Sequence, residues 1–201
     1  MSDSASIQKL AIVDTIKEGI AIGVKNLASI LVNIILWILT IWIPYLNVGT
    51  TIGLVVGIVS KASKGEIIPM TEIFDPKYRK YMGEYFLVSG LFSLGVGVGA
   101  AFFIIPGIII AIAWSLATLF VIDKGKNPIE AISLSNNCTY GYKFKMVIIY
   151  SVVVLAYVIL FAIFVNIPVL GVLLILAATV FYFFTVIGIQ ASIYKQLASD
   201  I

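Results

Sequence analysis

The sequence predicts an all-α membrane protein with six transmembrane helices, arranged as three consecutive helical hairpins with interfacial amphipathic linker helices. Three observations predict this fold class: the apolar composition, the confinement of charge to four short regions, and an Ile–Pro pair that recurs at a fixed spacing. Apolar residues make up 61% of the 201 residues, charged residues only 11%, and the mean hydropathy is +1.12. Soluble domains contain about 25% charged residues, so lipid is the predicted solvent.

Three long stretches carry no charged residue: residues 26–60, 85–122 and 146–194. Each contains an Ile–Pro turn with no charge beside it, so every charge is expected on one side of the bilayer. Lysine and arginine mark the cytoplasmic side. The sequence therefore predicts a multi-pass protein of the cell (cytoplasmic) membrane, with both termini and both charged linkers in the cytoplasm.

An Ile–Pro turn divides each uncharged stretch into two arms. Pro44, Pro106 and Pro168 are the predicted hairpin turns, each 62 residues after the last. The single predicted domain, residues 1–201, therefore holds three repeats, with approximate limits at 5–64, 69–126 and 127–197. The first stretch gives two arms of only about 26 Å, shorter than a hydrocarbon core of about 30 Å. An alternative interpretation is a set of hairpins that wedge into the membrane without crossing it.

The first charged region predicts an amphipathic helix over residues 5–25. Ile7, Leu10, Ile16 and Ile20 would form its apolar stripe. Such a helix can lie in the plane of the lipid headgroups. The alternative is a cytoplasmic helix packed on the other linkers.

Small residues recur at every fourth position on several arms, which lets neighbouring backbones approach closely. These rows predict helix-packing faces, and their density in the second hairpin predicts that it is the centre of the bundle. The rows are Gly49, Gly53 and Gly57; Ser89, Ser93 and Gly97; Gly95 and Gly99; and Gly107, Ala111 and Ser115. Such faces would also allow a homo-oligomer or a partner membrane protein to bind.

Basic residues mixed with tyrosines stand at the entrances of the second and third hairpins. Such clusters are attracted to an anionic lipid leaflet. The predicted headgroup contacts are Lys77, Arg79, Lys80, Lys143 and Lys145. Membrane lipids, anionic at the cytoplasmic face, are therefore the predicted partners.

Four polar residues are candidates for a path through the membrane. They are Asn33, Ser115 and Thr118 within the arms, and Glu84 at the membrane edge, where a carboxylate would bind a proton or a cation. Two other interpretations stay open. Hydroxyl groups in helices commonly bond the carbonyl one turn back, and Glu84 is spaced to pair with Lys80.

Catalytic chemistry has little support in the sequence. There is no histidine and a single cysteine, Cys138, and the uncharged stretches contain no carboxylate. General acid–base catalysis and metal binding rely mainly on these groups. We therefore expect no enzyme activity, no cofactor and no metal site, and the net charge of +3 is too small to indicate a nucleic-acid partner.

Three segments resemble a known family. They are Lys17-Glu18-Gly19 with Lys25-Asn26, Thr71-Glu72-Ile73-Phe74-Asp75, and the run from Asp123-Lys124-Gly125 through Pro128-Ile129-Glu130-Ala131 to Ser135 and Gly141. Together they look like the prokaryotic integral-membrane domain that is sometimes fused to glycerophosphodiester phosphodiesterases and also occurs alone. The resemblance implies six helices and a membrane role. It implies no catalytic residues, because the phosphodiesterase barrel is not part of this chain.

These observations favour a non-enzymatic polytopic integral membrane protein: an accessory, lipid-organising or small transport component. One alternative is a transporter or channel for a neutral or lipid-like solute, because the polar groups within the uncharged stretches are all neutral. The other alternative is the membrane-wedging hairpin protein that the short first arms suggest.

Overall fold

The computed structural model describes residues 10–168 and 170–198. Over these residues the chain is built from α-helices, one π-helical turn at Gly53–Gly57 and one 3-10 turn at Glu72–Phe74. The helices are α1 Ile12–Lys25, α2 Leu27–Thr40, α3 Pro44–Ile52, α4 Ile58–Ser63, α5 Lys77–Lys80, α6 Met82–Phe102, α7 Ile104–Trp114, α8 Ala117–Lys124, α9 Pro128–Thr139, α10 Lys143–Phe164 and α11 Leu170–Ala198.

Five helical segments within the described residues are long and apolar enough to cross a membrane, and a sixth if one bent pair is counted as a single span. The bent pair is α1 and α2, which meet at Asn26 with an angle of 66°. The 14 residues of α2 extend about 21 Å, so α2 alone is shorter than a hydrocarbon core of about 30 Å. A multi-pass membrane protein is the fold class that these helices support.

The three Ile–Pro pairs interrupt the helices in three different ways, and we call the helical arms on the two sides of each pair the first, second and third hairpin. Pro44 is the first residue of α3, where its missing N–H costs no hydrogen bond. The second hairpin turns at Phe103, whose backbone is extended, and Pro106 is the third residue of α7, still within its first turn. Pro168 lies in the break between α10 and α11.

Packing differs sharply between the two ends of the hairpins. We call the charge-bearing end the base; it comprises residues 52–63, 116–124 and 184–198, the two linkers and α1. We call the turn ends the tips; they comprise residues 35–45, 102–109 and 154–176. Most apolar side chains of the three helical stretches in the base are buried, whereas most of those in the tips are exposed. The hairpins are therefore held together at the base.

The first linker folds back onto the first hairpin instead of lying on its surface. The Asn26 carboxamide accepts a hydrogen bond from the Ile68 backbone N–H at 3.1 Å. Deeper in α2, the fully buried Asn33 donates to the Pro69 carbonyl at 2.8 Å and accepts from the Ile73 N–H at 3.1 Å. Asn26 at the start of α2 and Asn33 within it thus satisfy backbone groups of an irregular segment that would otherwise be unpaired.

The second linker is a helix with a clear beginning. Gly125 ends α8 in the left-handed conformation, with φ of 63°. Asn127 then caps α9 by accepting the Glu130 N–H at 2.9 Å, and Pro128 occupies the first position of the helix. The α9 helix packs back against α6, α7 and α8, so this linker also belongs to the base.

The amphipathic helix expected at residues 5–25 is observed as α1 from Ile12, and residues 5–9 lie outside the described part. It packs lengthwise on the base end of α11. Its buried residues are Thr15, Gly19 and Gly23, a row of small residues that permits close contact with the α11 backbone. Ile16 and Ile20 face a small apolar pocket beside α10 and α11. The α11 helix therefore covers this face of α1, while Val13 and Val24 on α1 stay exposed, and the position of the helix in the headgroup plane stays a prediction.

Candidate functional site

A polar pocket of about 280 Å³ opens between the second hairpin and α11. Four hydroxyl side chains and one carboxamide line it together with two aromatic rings. The lining residues are Ser89, Phe92, Ser93, Trp114, Ser115, Thr118 and Gln190. Every side chain in this set is uncharged. The five polar side chains stand out because the helices around them are almost wholly apolar.

A break between α7 and α8 shapes one wall of this pocket. The buried Ser135 of α9 donates to the Ala113 carbonyl at 2.7 Å and accepts from the Leu116 N–H at 3.1 Å. One hydroxyl thus satisfies a donor and an acceptor that the interrupted helix leaves unpaired. The break directs Ser115 and Thr118 toward the pocket, on either side of the buried Leu116.

The hydrogen bonds of the pocket residues show which polar groups are already bonded within the protein. Ser93 donates to the Ser89 carbonyl at 2.9 Å, and Ser115 donates to the Ile112 carbonyl at 2.9 Å. The Gln190 amide donates to the Ser115 carbonyl at 3.3 Å. Within the described residues the side-chain hydroxyls of Ser89 and Thr118 have no hydrogen-bond partner. The pocket therefore has polar groups available for a ligand.

The rim end of the pocket lies at one depth on α6, α8 and α11. Ser89 is five residues from Glu84, Thr118 five from Asp123, and Gln190 five from Lys195. Five residues of α-helix correspond to about 7.5 Å. The pocket is thus one to two turns inside the charged rim of the base.

A second polar cluster joins the three hairpins at that rim. The Asp123 carboxylate accepts hydrogen bonds from the Ser60 hydroxyl at 2.7 Å and from the Tyr194 hydroxyl at 3.0 Å, and it pairs with the Lys64 ammonium. Its side chain is only 4% exposed. Ser60 belongs to the first hairpin, Asp123 to the second and Tyr194 to the third, so one carboxylate connects the ends of all three return arms.

A buried tyrosine connects the first linker to the glycine row of the first hairpin. The Tyr78 ring lies against Gly53 and Gly57, and its hydroxyl donates to the buried Glu72 carboxylate. Burial, together with this hydrogen bond, raises the pKa of the Tyr78 phenol well above its ordinary value. The Arg79 stem covers Gly49. The partner of this glycine row is therefore the linker and not another transmembrane helix.

The largest of the crevices described here is wholly apolar. It has a volume of about 450 Å³ and separates the first hairpin from α11, with no polar surface in its wall. Its lining comes from α2, from the return arm of the first hairpin and from the middle of α11. The lining residues are Leu31, Ile34, Trp37, Thr51, Leu54, Val55, Thr179, Val180, Phe183 and Phe184. Trp37 donates to the Thr51 hydroxyl at 2.9 Å, which pairs the two polar groups that the first hairpin contributes to the crevice with each other.

The predicted polar path is divided between separate environments. Ser115 and Thr118 share the pocket with Ser89 and Ser93, two residues of a predicted packing row. Asn33 is fully buried and committed to the first linker, and Glu84 is exposed at the beginning of α6. These four residues therefore do not line one continuous path.

The small residues of the second hairpin have three kinds of surroundings: another small residue, an aromatic ring, or open space. A Cβ added at Gly99 would lie 3.1 Å from the Gly107 Cα, so the two arms are closest there. Gly95 faces the Trp114 ring, while a Cβ at Gly97 would meet nothing within 4 Å. Ala111 is partly exposed on α7. The closest approach lies near the turn, and Gly97 does not contribute to it.

The basic residues predicted for headgroup contact make intramolecular contacts as well. Lys77 lies 3.4 Å from Glu72 and 3.3 Å from Asp75, and Lys143 donates to Asn136 at 2.8 Å. Lys80 and Lys145 lie over the rings of Tyr81 and Tyr142.

Sequence reasoning missed Gln190 as a member of the pocket. It is the only carboxamide in α11 before Lys195, within a stretch that has no charge. A polar side chain in such a span usually faces protein or a cavity, and that signal was sufficient to single it out. The hydrogen bonds from Asp123 to the first and third hairpins depend on contact in space, so no local sequence pattern indicates them.

No family model matches the chain, and no curated protein or solved structure matches it either. The resemblance to the membrane domain associated with glycerophosphodiester phosphodiesterases therefore stays a prediction.

Proposed function

We propose that this chain is a non-enzymatic, lipid-organising protein of the cytoplasmic membrane, which binds lipid acyl chains between its hairpins. The apolar crevice between the first hairpin and α11 carries this proposal. Its wall offers no polar surface to a solute. In a membrane the available apolar occupant is a lipid chain, which gains contacts with the aromatic wall.

The packing supports the same role. Exposed apolar side chains at the tips meet lipid, while the base keeps the hairpins together, so lipid can enter between the arms. Basic residues at the rim, among them Lys80 and Lys124, would attract anionic headgroups. Both termini are expected at this cytoplasmic rim.

Filling the crevice tests the proposal. Val55→Trp adds a ring at a position that is exposed to the crevice. We expect the purified variant to retain severalfold less phospholipid per protein, measured by mass spectrometry of lipids extracted after detergent purification. Leu94→Trp, on the exposed surface of α6, is the matched control and should retain as much as the unmodified protein. Equal retention by the Val55 variant would contradict the proposal.

Membrane wedging is a second candidate, favoured by the short α2 helix and its bend of 66° from α1. Two single cysteines in a Cys138→Ser background distinguish crossing from wedging: Tyr45→Cys at the first tip and Ile105→Cys at the second. Reaction of both with an impermeant thiol reagent outside the cell supports full crossing. Reaction of Ile105→Cys alone supports a first hairpin that only inserts.

A further inference from the structure

We propose that the polar pocket between the second hairpin and α11 binds the uncharged, hydroxyl-bearing headgroup of a membrane lipid of the diacylglycerol class. This site is distinct from the apolar crevice and goes beyond acyl-chain binding.

The free hydrogen-bonding groups of the pocket match a hydroxyl ligand. The hydroxyls of Ser89 and Thr118 each donate one hydrogen bond and accept others. The Gln190 amide nitrogen is committed to the Ser115 carbonyl, which leaves its side-chain oxygen as an acceptor. A lipid hydroxyl can donate to that oxygen, and its ester carbonyls can accept from the serine and threonine.

The absence of basic side chains from the pocket lining argues against a phosphate headgroup as the preferred ligand. Protein sites for phosphate use arginine, lysine or a row of backbone N–H groups. The pocket lining contains no basic side chain, and its two backbone walls are helical and internally bonded around Ser89 and Gln190. An uncharged headgroup needs no such partners, because its desolvation costs less free energy than that of a charged phosphate.

Depth supplies an independent argument. On α6, α8 and α11 the rim end of the pocket lies five residues, or about 7.5 Å, below the nearest charged residue. Charged side chains lie in the headgroup region, which is about 5–7 Å thick on each side of the hydrocarbon core, so the rim end of the pocket lies near the boundary between headgroups and acyl chains. A diacylglycerol, which has no phosphate, carries its hydroxyl and ester groups at this boundary. The half-buried rings of Phe92 and Trp114 would contact its first methylenes.

Trp114 provides the readout. A Trp37→Phe/Trp42→Phe form of the full chain keeps Trp114 as its single tryptophan. In phosphatidylcholine nanodiscs, we expect the fluorescence of Trp114 to change saturably as the mole fraction of diacylglycerol is increased. Adding Thr118→Val with Gln190→Leu removes two of the polar partners and should weaken binding about tenfold, the factor that corresponds to about 1.4 kcal/mol.

Controls make the result decisive. Ser151→Ala removes an exposed hydroxyl of α10 that does not line the pocket and should leave the titration unchanged. Thr118→Val alone preserves shape, so weaker binding in this variant, with an unchanged thermal transition, supports the proposal even if the double variant does not fold. An equal response to phosphatidic acid, or to free glycerol in the buffer, overturns it, as does unchanged binding in both variants. Lipid retention by the Val55→Trp protein is a separate measurement, so failure here leaves the crevice proposal untouched.

Discussion

The base and the tips of this molecule differ although both are made of the same apolar residues. Phe184 in the base is 2% exposed, whereas Phe103 in the second tip is 74% exposed. Both lie in stretches without charge, so hydropathy does not separate them. What separates them is contact with a helix from another part of the chain: the Phe184 carbonyl lies against Gly23 of α1, whereas Phe103 is exposed at the turn between α6 and α7.

This contrast fits the energetics of a membrane. Lipid tails are as apolar as leucine, so burying an apolar side chain against another helix gains little from the hydrophobic effect. Close backbone contact and polar bonds must hold the helices instead. The base has both, in the crossing of α1 on α11 and in the bonds of Asn33, Asp123 and Ser135.

The strongest test of this contrast compares two glycines. A side chain at Gly188 would overlap the Gly19 carbonyl across the α1–α11 contact, whereas one at Gly97 meets nothing within 4 Å. Gly188→Leu is expected to lower the free energy of unfolding by about 3 kcal/mol, because the two helices must separate. Gly97→Leu should change it by about 0.5 kcal/mol or less. Thermal unfolding followed by circular dichroism in detergent measures both, and similar transitions would show that the α1 contact does not hold the base.

The next test concerns the carboxylate that connects three hairpins. Asp123→Asn keeps the shape but weakens the bonds from Ser60, Tyr194 and Lys64, and we expect a loss of about 2 kcal/mol. Lys64→Met removes only the half-exposed partner and should cost under about 1 kcal/mol. The same unfolding measurement ranks the two variants. A larger effect for Lys64 would mean that the ion pair, and not the hydroxyl bonds, joins the hairpins.

Tyr78 tests the bond between the first linker and the first hairpin. Tyr78→Phe leaves the buried Glu72 carboxylate without the phenol and should cost about 1–2 kcal/mol, while the exposed Tyr140→Phe should cost almost nothing. The pKa of Tyr78 is raised in the folded protein and is about 10 when unfolded. Its contribution is therefore fully present below about pH 10 and declines above it. The Phe variant should show a shallower loss of stability between about pH 10 and 11, and an identical slope would contradict the assignment.

The sequence was sufficient to predict much of this architecture and insufficient for the packing of the linkers. The uncharged stretches predicted the apolar helices, and the Ile–Pro pairs predicted the regions where those helices are interrupted. The second turn lies at Phe103 because proline is tolerated in the first helical turn, so Pro106 marks a helix start and not the turn itself.

The linkers were less predictable because a pattern of apolar residues shows that a face is covered but not what covers it. Thr15, Gly19 and Gly23 carry the contact with α11, although the larger Ile16 and Ile20 dominate the apparent stripe. The pocket was partly foreseen: Ser115 and Thr118 line it. Asn33 does not line it, because its carboxamide is hydrogen-bonded to the backbone of the first linker. No local sequence pattern predicts that this linker contacts α2.

The smallest expected change in the free energy of unfolding is at the third tip, and it tests lipid contact most directly. Leu173 on α11 is 62% exposed, so its side chain meets lipid in the folded and the dissociated states alike. Leu173→Ala should therefore change the free energy of unfolding by about 0.5 kcal/mol or less. Leu119→Ala, at a base position that is 1% exposed, should cost about 2–5 kcal/mol because a cavity remains among packed neighbours. A cost for Leu173 that approaches that of Leu119 would mean that protein, such as a second copy of the chain, covers the tip.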